Sequence, residues 1–220
     1  KGIFYYNHGP HIHEYLREFR DEVLSQYDCM TLAEAPMVTP KVALKYIDEG
    51  PDKQIDMMIQ NEVMCADCFF QDYFPTKFHL RKLKRAFRTW QKKLDGKGWN
   101  MLFLENHDHP RIISRYGSEA FREASGKMLA TAYLFQKGTP FLYQGQEIGM
   151  TNWHPSSWEA YEDVATRYYY THKARKLTPR QRLHKLWRCS RDSSRTLMQW
   201  DGSEKAGFTT GKPWFAVNEN

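Results

Sequence analysis

Residues 99–111 read Trp-Asn-Met-Leu-Phe-Leu-Glu-Asn-His-Asp-His-Pro-Arg. The first six are mostly apolar and too few for a helix, so Trp99 to Leu104 reads as a short buried strand. Glu105, Asn106, His107 and Asp108 then crowd hydrogen-bonding groups at its carboxyl end. The neighbouring segments repeat this arrangement. Upstream, Leu80, Leu83, Phe87, Trp90 and Leu94 recur at spacings of three and four, which predicts one amphipathic helix through the basic stretch from Lys77 to Lys93. Downstream, Ser118 opens a helix running to about Phe135, and Gly138-Thr-Pro introduces a strand over Phe141-Leu-Tyr143.

Further out the alternation continues. The opening KGIFYYNHGP reads as a loop leading into a helix from His11 to Leu24. Cys29-Met-Thr-Leu-Ala33 can form a fully buried strand, with Glu34 where it ends. Thr39-Pro40 supplies a cap and a first-turn proline for a helix reaching Ile47, and Ile55 to Gln60 reads as another strand before the irregular stretch NEVMCADCFFQDYFPT. Helices alternating with short apolar strands imply an α/β fold with a parallel sheet. Four such strands with their helices make half of an eight-stranded (β/α) barrel. We therefore expect residues 1–150 to form a half barrel and residues 151–220, where Trp, Tyr and basic residues follow no clear period, to form a helical and looped extension.

Composition narrows the function classes. The chain has 220 residues, 15% of them aromatic, and a formal charge of +6. Much of the basic excess lies on the predicted helix near residues 77–93, opposite its apolar stripe, so it reads as a solvated outer face and not as a nucleic-acid surface. No apolar run approaches the roughly 20 residues of a membrane span. Cys29, Cys65, Cys68 and Cys189 form no regular framework, which fits buried thiols in a cytoplasmic protein. Cys65-Ala-Asp-Cys68 lacks a second ligand pair to complete a zinc site. His11 and His13, two apart at a helix start, face differently, so they and His8 are not expected to hold a metal. Met30, Met57 and Met58 are read as core, and Trp187, Trp200 and Trp214 as packing residues.

In a (β/α) barrel the active site gathers at the carboxyl ends of the strands. Glu34 and Asp108 both fall there, although an arbitrary strand-end acid is more often a solvated loop residue or helix cap. Four strings shift that balance. ENHDHPRIISRYG is similar to the last signature region of the α-amylase superfamily, and TLAEAP resembles the region supplying its acid/base glutamate. GTPFLYQGQEIGMTN and SRTLMQWDGSEKAGFTTGKPW resemble flanking segments of the oligo-1,6-glucosidase-like α-glucosidases in glycoside hydrolase family 13. The resemblance spans essentially the whole chain, with the motifs in the family's order, and it implies strands five to eight of the catalytic barrel.

The resemblance also implies roles. Glu34 matches the general acid/base, and Asp108 the carboxylate that binds sugar hydroxyls and stabilises the oxocarbenium-like transition state. His107 and Arg195 match sugar-binding neighbours, and Arg111, in the same signature as Asp108, is expected to bind substrate with them. No cofactor and no metal are implied, and the expected partner is an oligosaccharide. A glutamate acting as acid near neutrality needs a raised pKa. Retention further requires a nucleophile carboxylate about 5–5.5 Å from the acid. The family carries it in a Gly-Phe-Arg-x-Asp string upstream of the glutamate strand; here the nearest lookalike, Glu18-Phe-Arg-Asp21, has the wrong spacing and reads as solvated helix.

Because Lys1 is not a methionine and Asn220 follows no helix cap, both ends read as cut. The nucleophile, the family's first-strand histidine, its calcium-type loop and its inserted domain are expected to precede Lys1. The chain alone is then expected to be inactive, and its open strand edges predict poor solubility or self-association. Three other readings stay open. A sucrose isomerase normally carries Arg-Leu-Asp-Arg, which DYFPTKFHLRKLKRAF lacks; a trehalose-phosphate hydrolase and a noncatalytic glucosidase-like module are the others.

Overall fold

The computed structural model describes residues 7–35, 37–69 and 71–218. Of the loop expected over residues 1–10, the first six lie outside that description, as does Pro36 of the TLAEAP string. The regular elements, in chain order, are α1 (Ile12–Glu22), β1 (Leu32–Glu34), α2 (Pro40–Ile47), β2 (Met57–Ile59), β3 (Cys68–Phe69) and β4 (Gln71–Pro75). There follow α3 (Leu80–Leu94), β5 (Met101–Leu102), α4 (Ile112–Tyr116), α5 (Arg122–Leu134), β6 (Thr139–Pro140), α6 (Val164–Tyr168) and α7 (Pro179–Cys189). The chain divides into two compact units: Lys1–Ala66 with Leu80–Leu102 and Phe135–Phe141, and Asp67–His79 with Phe103–Leu134 and Leu142–Asn220.

The first unit holds the parallel strands. β1 pairs with β2 in the register Leu32↔Met57, Ala33↔Met58, Glu34↔Ile59, and β5 pairs with β6 through Met101↔Thr139 and Leu102↔Pro140. Parallel neighbours need a crossover, and α2 supplies it between β1 and β2. As the Thr39-Pro40 signal predicts, Thr39 Oγ1 accepts from Val42 N at 3.4 Å with Pro40 in the first turn. The buried residues Ala43, Tyr46 and Ile47 of α2 pack with Ala35, Val38, Ile55, Met58, Trp90 and Leu94 into one core. On α3 the buried positions are Leu83, Ala86, Trp90 and Leu94, spaced three, four and four, so the basic face points outward as expected, but Leu80 at the helix start is exposed and Phe87 is only half-buried, Ala86 taking the inward position. Trp90 also donates its indole N–H to Glu62 Oε2 at 2.9 Å.

The strands are shorter than the sequence suggests. The expected strand at 141–143 begins instead at Thr139, although Phe141 N still donates to Leu102 O at 2.8 Å and extends the ladder by one bond. Gly138 allows this approach: a Cβ there would sit 2.6 Å from Asn100 O. β1 is not fully buried. Met30 and Leu32 are exposed while Ala33, on the other face, packs on the core. Met30 is therefore no core residue, unlike Met57 and Met58. His8 and His13 serve the core's polar edge, His8 Nδ1 lying 2.6 Å from Tyr46 Oη and His13 Nδ1 2.9 Å from Gln54 Oε1.

The second unit carries the β3–β4 antiparallel pair, α4 to α7 and long loops. Its core joins Trp153, Tyr161, Tyr169, Ala174, Leu186, Cys189 and Phe215. α7 starts at a capping box in which Thr178 Oγ1 accepts from Gln181 N while the Gln181 side chain accepts from Thr178 N. Trp187 packs against that core, but Trp200 and Trp214 are exposed, against expectation. Among the described residues no helix is long and apolar enough to cross a membrane. The four cysteines are thiols, Cys68 and Cys189 buried and Cys29 exposed. Asp67, between Cys65 and Cys68, grips Arg115 through both carboxylate oxygens, at 2.6 and 3.1 Å.

Candidate active site

The loop after β5 is pinned at both ends by buried charges. At its start Glu105 takes Arg111 Nη1 on Oε2 at 3.0 Å and Ile112 N on Oε1 at 2.8 Å, the second contact satisfying an open amide at the start of α4. At its end Arg111 donates its backbone N–H to Asn152 Oδ1 and Nη1 to Gln144 O, and its guanidinium lies over the Tyr143 ring. Burial pushes the Glu105 carboxyl up, against the pull of Arg111. With its ends fixed, the short span between them must project outward, and Asn106 shapes it by accepting from Asp108 N at 2.9 Å. His107 and Asp108 ride on this span.

Asp108 is gripped asymmetrically. Its Oδ1 accepts from Arg191 Nη1 at 2.9 Å and from Arg195 Nη2 at 3.0 Å. Its Oδ2 lies 3.6 Å from His107 Nε2, an ion pair when that imidazole is protonated. Arg195 also donates Nε to His107 O at 2.9 Å, tying the loop's backbone to the same guanidinium. One carboxylate oxygen is thus saturated by cations while the other, on a side chain 35% exposed, stands beside an exposed imidazole. Such an arrangement suits binding vicinal hydroxyls or facing a developing positive charge.

Behind Arg191 stands a buried acidic pair. Arg191 Nε donates to Asp163 Oδ1 at 2.7 Å. Asp192 Oδ2 accepts the backbone N–H groups of Glu162 and Asp163 at 2.8 and 2.9 Å. Burial raises the Asp192 carboxyl despite those two amide donors.

Glu34 belongs to the first unit. It ends β1 opposite Ile59 and is exposed, while the next described residue, Ala35, is buried in the core. The strand end is therefore anchored immediately after a carboxylate that faces solvent.

Of the five residues singled out in the sequence, the structure brings His107, Asp108 and Arg195 together in one unit, and places Glu34 at the carboxyl end of a parallel strand. Arg111 is placed differently. It is fully buried against Glu105, so it braces the loop instead of facing a substrate. Glu105, Arg191 and Asp163 escaped the sequence reading. Glu105 adjoins a strand and looked like one more polar loop residue, and Asp163 sits where periodicity is weak. Arg191 had a signal, since it lies four residues before Arg195 in the same polar stretch.

Residues 2–220 match the family described as alpha amylase, catalytic domain. The chain belongs to that family. As an α-amylase-family catalytic sequence it is 44% identical to the oligo-1,6-glucosidase of Parageobacillus thermoglucosidasius and 40% identical to the trehalose-6-phosphate hydrolase of Bacillus subtilis, in each case over 100% of this chain and 40% of the relative. Among solved structures, it superposes on the trehalose-6-phosphate hydrolase of Bacillus licheniformis with a TM-score of 0.92 at 39% identity, covering 100% of this chain and 40% of the other. With the isomaltulose synthase of Protaminobacter rubrum the TM-score is 0.88 at 35% identity, covering 97% and 39%. This α-amylase-family chain therefore spans about 40% of the length of the relatives it matches.

Proposed function

We propose that the whole protein removes terminal α-linked glucose from short oligosaccharides of the isomaltose or maltose type with retention of configuration. Glu34 acts as acid and base, protonating the departing glycosidic oxygen and then activating water. Asp108 binds the sugar's hydroxyls and stabilises the oxocarbenium-like transition state, with His107 and Arg195 around the same glucosyl unit. The observation that carries this reading is the grip on Asp108: two guanidiniums on Oδ1 orient the carboxylate, and Oδ2 is left beside an exposed imidazole. The four parallel strands are taken as part of a (β/α)8 barrel, with residues 151–220 as an extension beyond it. The thiol state of the cysteines supports a cytoplasmic location.

The nucleophile is not supplied by these 220 residues, which contain no Gly-Phe-Arg-x-Asp string. We therefore expect the 220-residue chain to release no glucose by itself, and to self-associate in sedimentation. The reading is tested by incubating the whole protein with isomaltose, maltose, sucrose and trehalose 6-phosphate. Glucose from isomaltose or maltose supports it, and inertness toward all four would leave a noncatalytic module.

A second reading, hydrolysis of trehalose 6-phosphate, is favoured by the superposition at 39% identity on an enzyme of that name. Glucose and glucose 6-phosphate from that substrate alone would establish it over the first. Isomerisation of sucrose is disfavoured by the absence of Arg-Leu-Asp-Arg in residues 72–87.

A further inference from the structure

We infer that Asp163 is a positioning residue for this site: by holding the Arg191 guanidinium at Nε it aims Nη1 at Asp108, and so sets the direction in which Asp108 presents its second oxygen. The inference rests on the reading of Asp108 as the sugar-binding carboxylate.

Asp163 divides its two oxygens between two tasks. Its side chain is 1% exposed, so each oxygen needs partners inside the protein. Oδ2 accepts from Thr166 N at 2.7 Å and Thr166 Oγ1 at 2.8 Å, capping α6. Oδ1 accepts from Arg191 Nε at 2.7 Å. Asp163 is itself immobilised, since its backbone N–H donates to Asp192 Oδ2 and the Thr166 hydroxyl meets Ser190 Oγ at 2.9 Å. Ser190 and Asp192 flank Arg191 in the chain, so the acid and the arginine it holds are fastened to one another from both sides.

Guanidinium geometry turns this fastening into aim. The group is planar, and fixing the Nε–H in its plane fixes where Nη1 points. Arg191 is a long side chain, 35% exposed, with rotamer freedom to lose. It shares the single Asp108 Oδ1 with a second cation, Arg195, and like charges on one oxygen repel unless a further carboxylate offsets them. With Asp163 present, two carboxylates face two guanidiniums. Arg195 is held as well by the His107 carbonyl, which accepts its Nε–H at 2.9 Å.

The test is a double-mutant cycle in the whole protein, using Asp163→Asn, Arg191→Ala and the pair, with kcat/KM measured on p-nitrophenyl α-glucoside alongside the melting temperature. Asn caps helices as well as Asp does, so Asp163→Asn keeps an oxygen for Thr166 and replaces the arginine's acceptor by an amide donor. Each single variant is expected to lose about ten- to a hundredfold in kcat/KM, as for a charge-assisted hydrogen bond. The double variant should be no slower than Arg191→Ala alone, because Asp163 acts only through Arg191. Losses that multiply, or an Asp163→Asn protein as fast as the unsubstituted one, would overturn the inference while leaving the proposed function standing. Asp163→Ser, which also keeps a capping oxygen, is the second variant, and failure of both to fold would mark Asp163 as purely structural and overturn the inference. No turnover by the unsubstituted protein would instead overturn the reading of Asp108 beneath it.

Discussion

Arg111 and Glu105 form an ion pair sealed from solvent: Nη1 lies 3.0 Å from Oε2, and each side chain is 1% exposed. Two charges taken out of water are costly unless paired and hydrogen-bonded. Here Gln144 O and the amide of Ile112 add to the pairing, while the buried Arg111 Nε has no hydrogen-bond partner among the described residues. The pair closes the base of the loop that carries His107 and Asp108, so the site's geometry is inherited from a contact no substrate touches.

Arg111→Met should accordingly destabilise the protein by about 3–5 kcal/mol, because it strands the Glu105 carboxylate. Adding Glu105→Gln to Arg111→Met should cost less than the sum of the two single changes, since the stranded charge is gone. Urea denaturation of the three variants measures both. Additive losses would mean that the two residues act independently.

Trp90 anchors the first unit's core while its indole N–H reaches Glu62. Trp90→Ala should cost about 3–5 kcal/mol through the cavity it opens. Trp90→Phe keeps most of the ring and loses the hydrogen bond, so it should cost less. Equal losses would show that the bond, and not the packing, dominates.

Asp56 predicts a pH effect. Burial alone would raise its carboxyl, but the Lys53 ammonium at 2.7 Å and the Thr31 hydroxyl and amide outweigh it and hold the group below its ordinary 3.8. A group depressed on folding contributes stability that is fully present above the unfolded value and is lost as pH falls through the folded one. The stability gap between the protein and Asp56→Asn should therefore be constant from neutrality down to about pH 4, and shrink below that. A gap unchanged at pH 2 would refute the assignment.

Asp108→Asn should lower the melting temperature only modestly, because an amide oxygen can still accept from Arg191 and Arg195 although it no longer offsets their charges. In the whole protein it should lower kcat by at least about a hundredfold, as the charge facing the transition state is removed. Activity within a few-fold of the unsubstituted enzyme would remove Asp108 from the mechanism.

The sequence exposed what depends on local pattern. The Thr39-Pro40 cap, the apolar stripe of α3 and the polar cluster at the end of Trp99–Leu104 were legible because periodicity and capping are properties of neighbours in the chain. Strand lengths were not, since pairing is decided by a partner far away: Thr139, not Phe141, meets Met101. Arg111 illustrates the same limit in the site. Its motif promised a ligand contact, yet whether an arginine faces solvent or a buried glutamate is fixed by the fold around it. Asp163 and Arg191, 28 positions apart in a segment without clear period, meet only in three dimensions.

Glu34→Gln in the whole protein tests the central claim most directly. If Glu34 is the acid, the variant should lose about a hundred- to ten-thousandfold in kcat/KM on isomaltose, whose leaving hydroxyl must be protonated. It should lose far less on p-nitrophenyl α-glucoside, whose leaving group departs as a stable anion. Equal losses on the two substrates, or undiminished cleavage of isomaltose, would contradict the account.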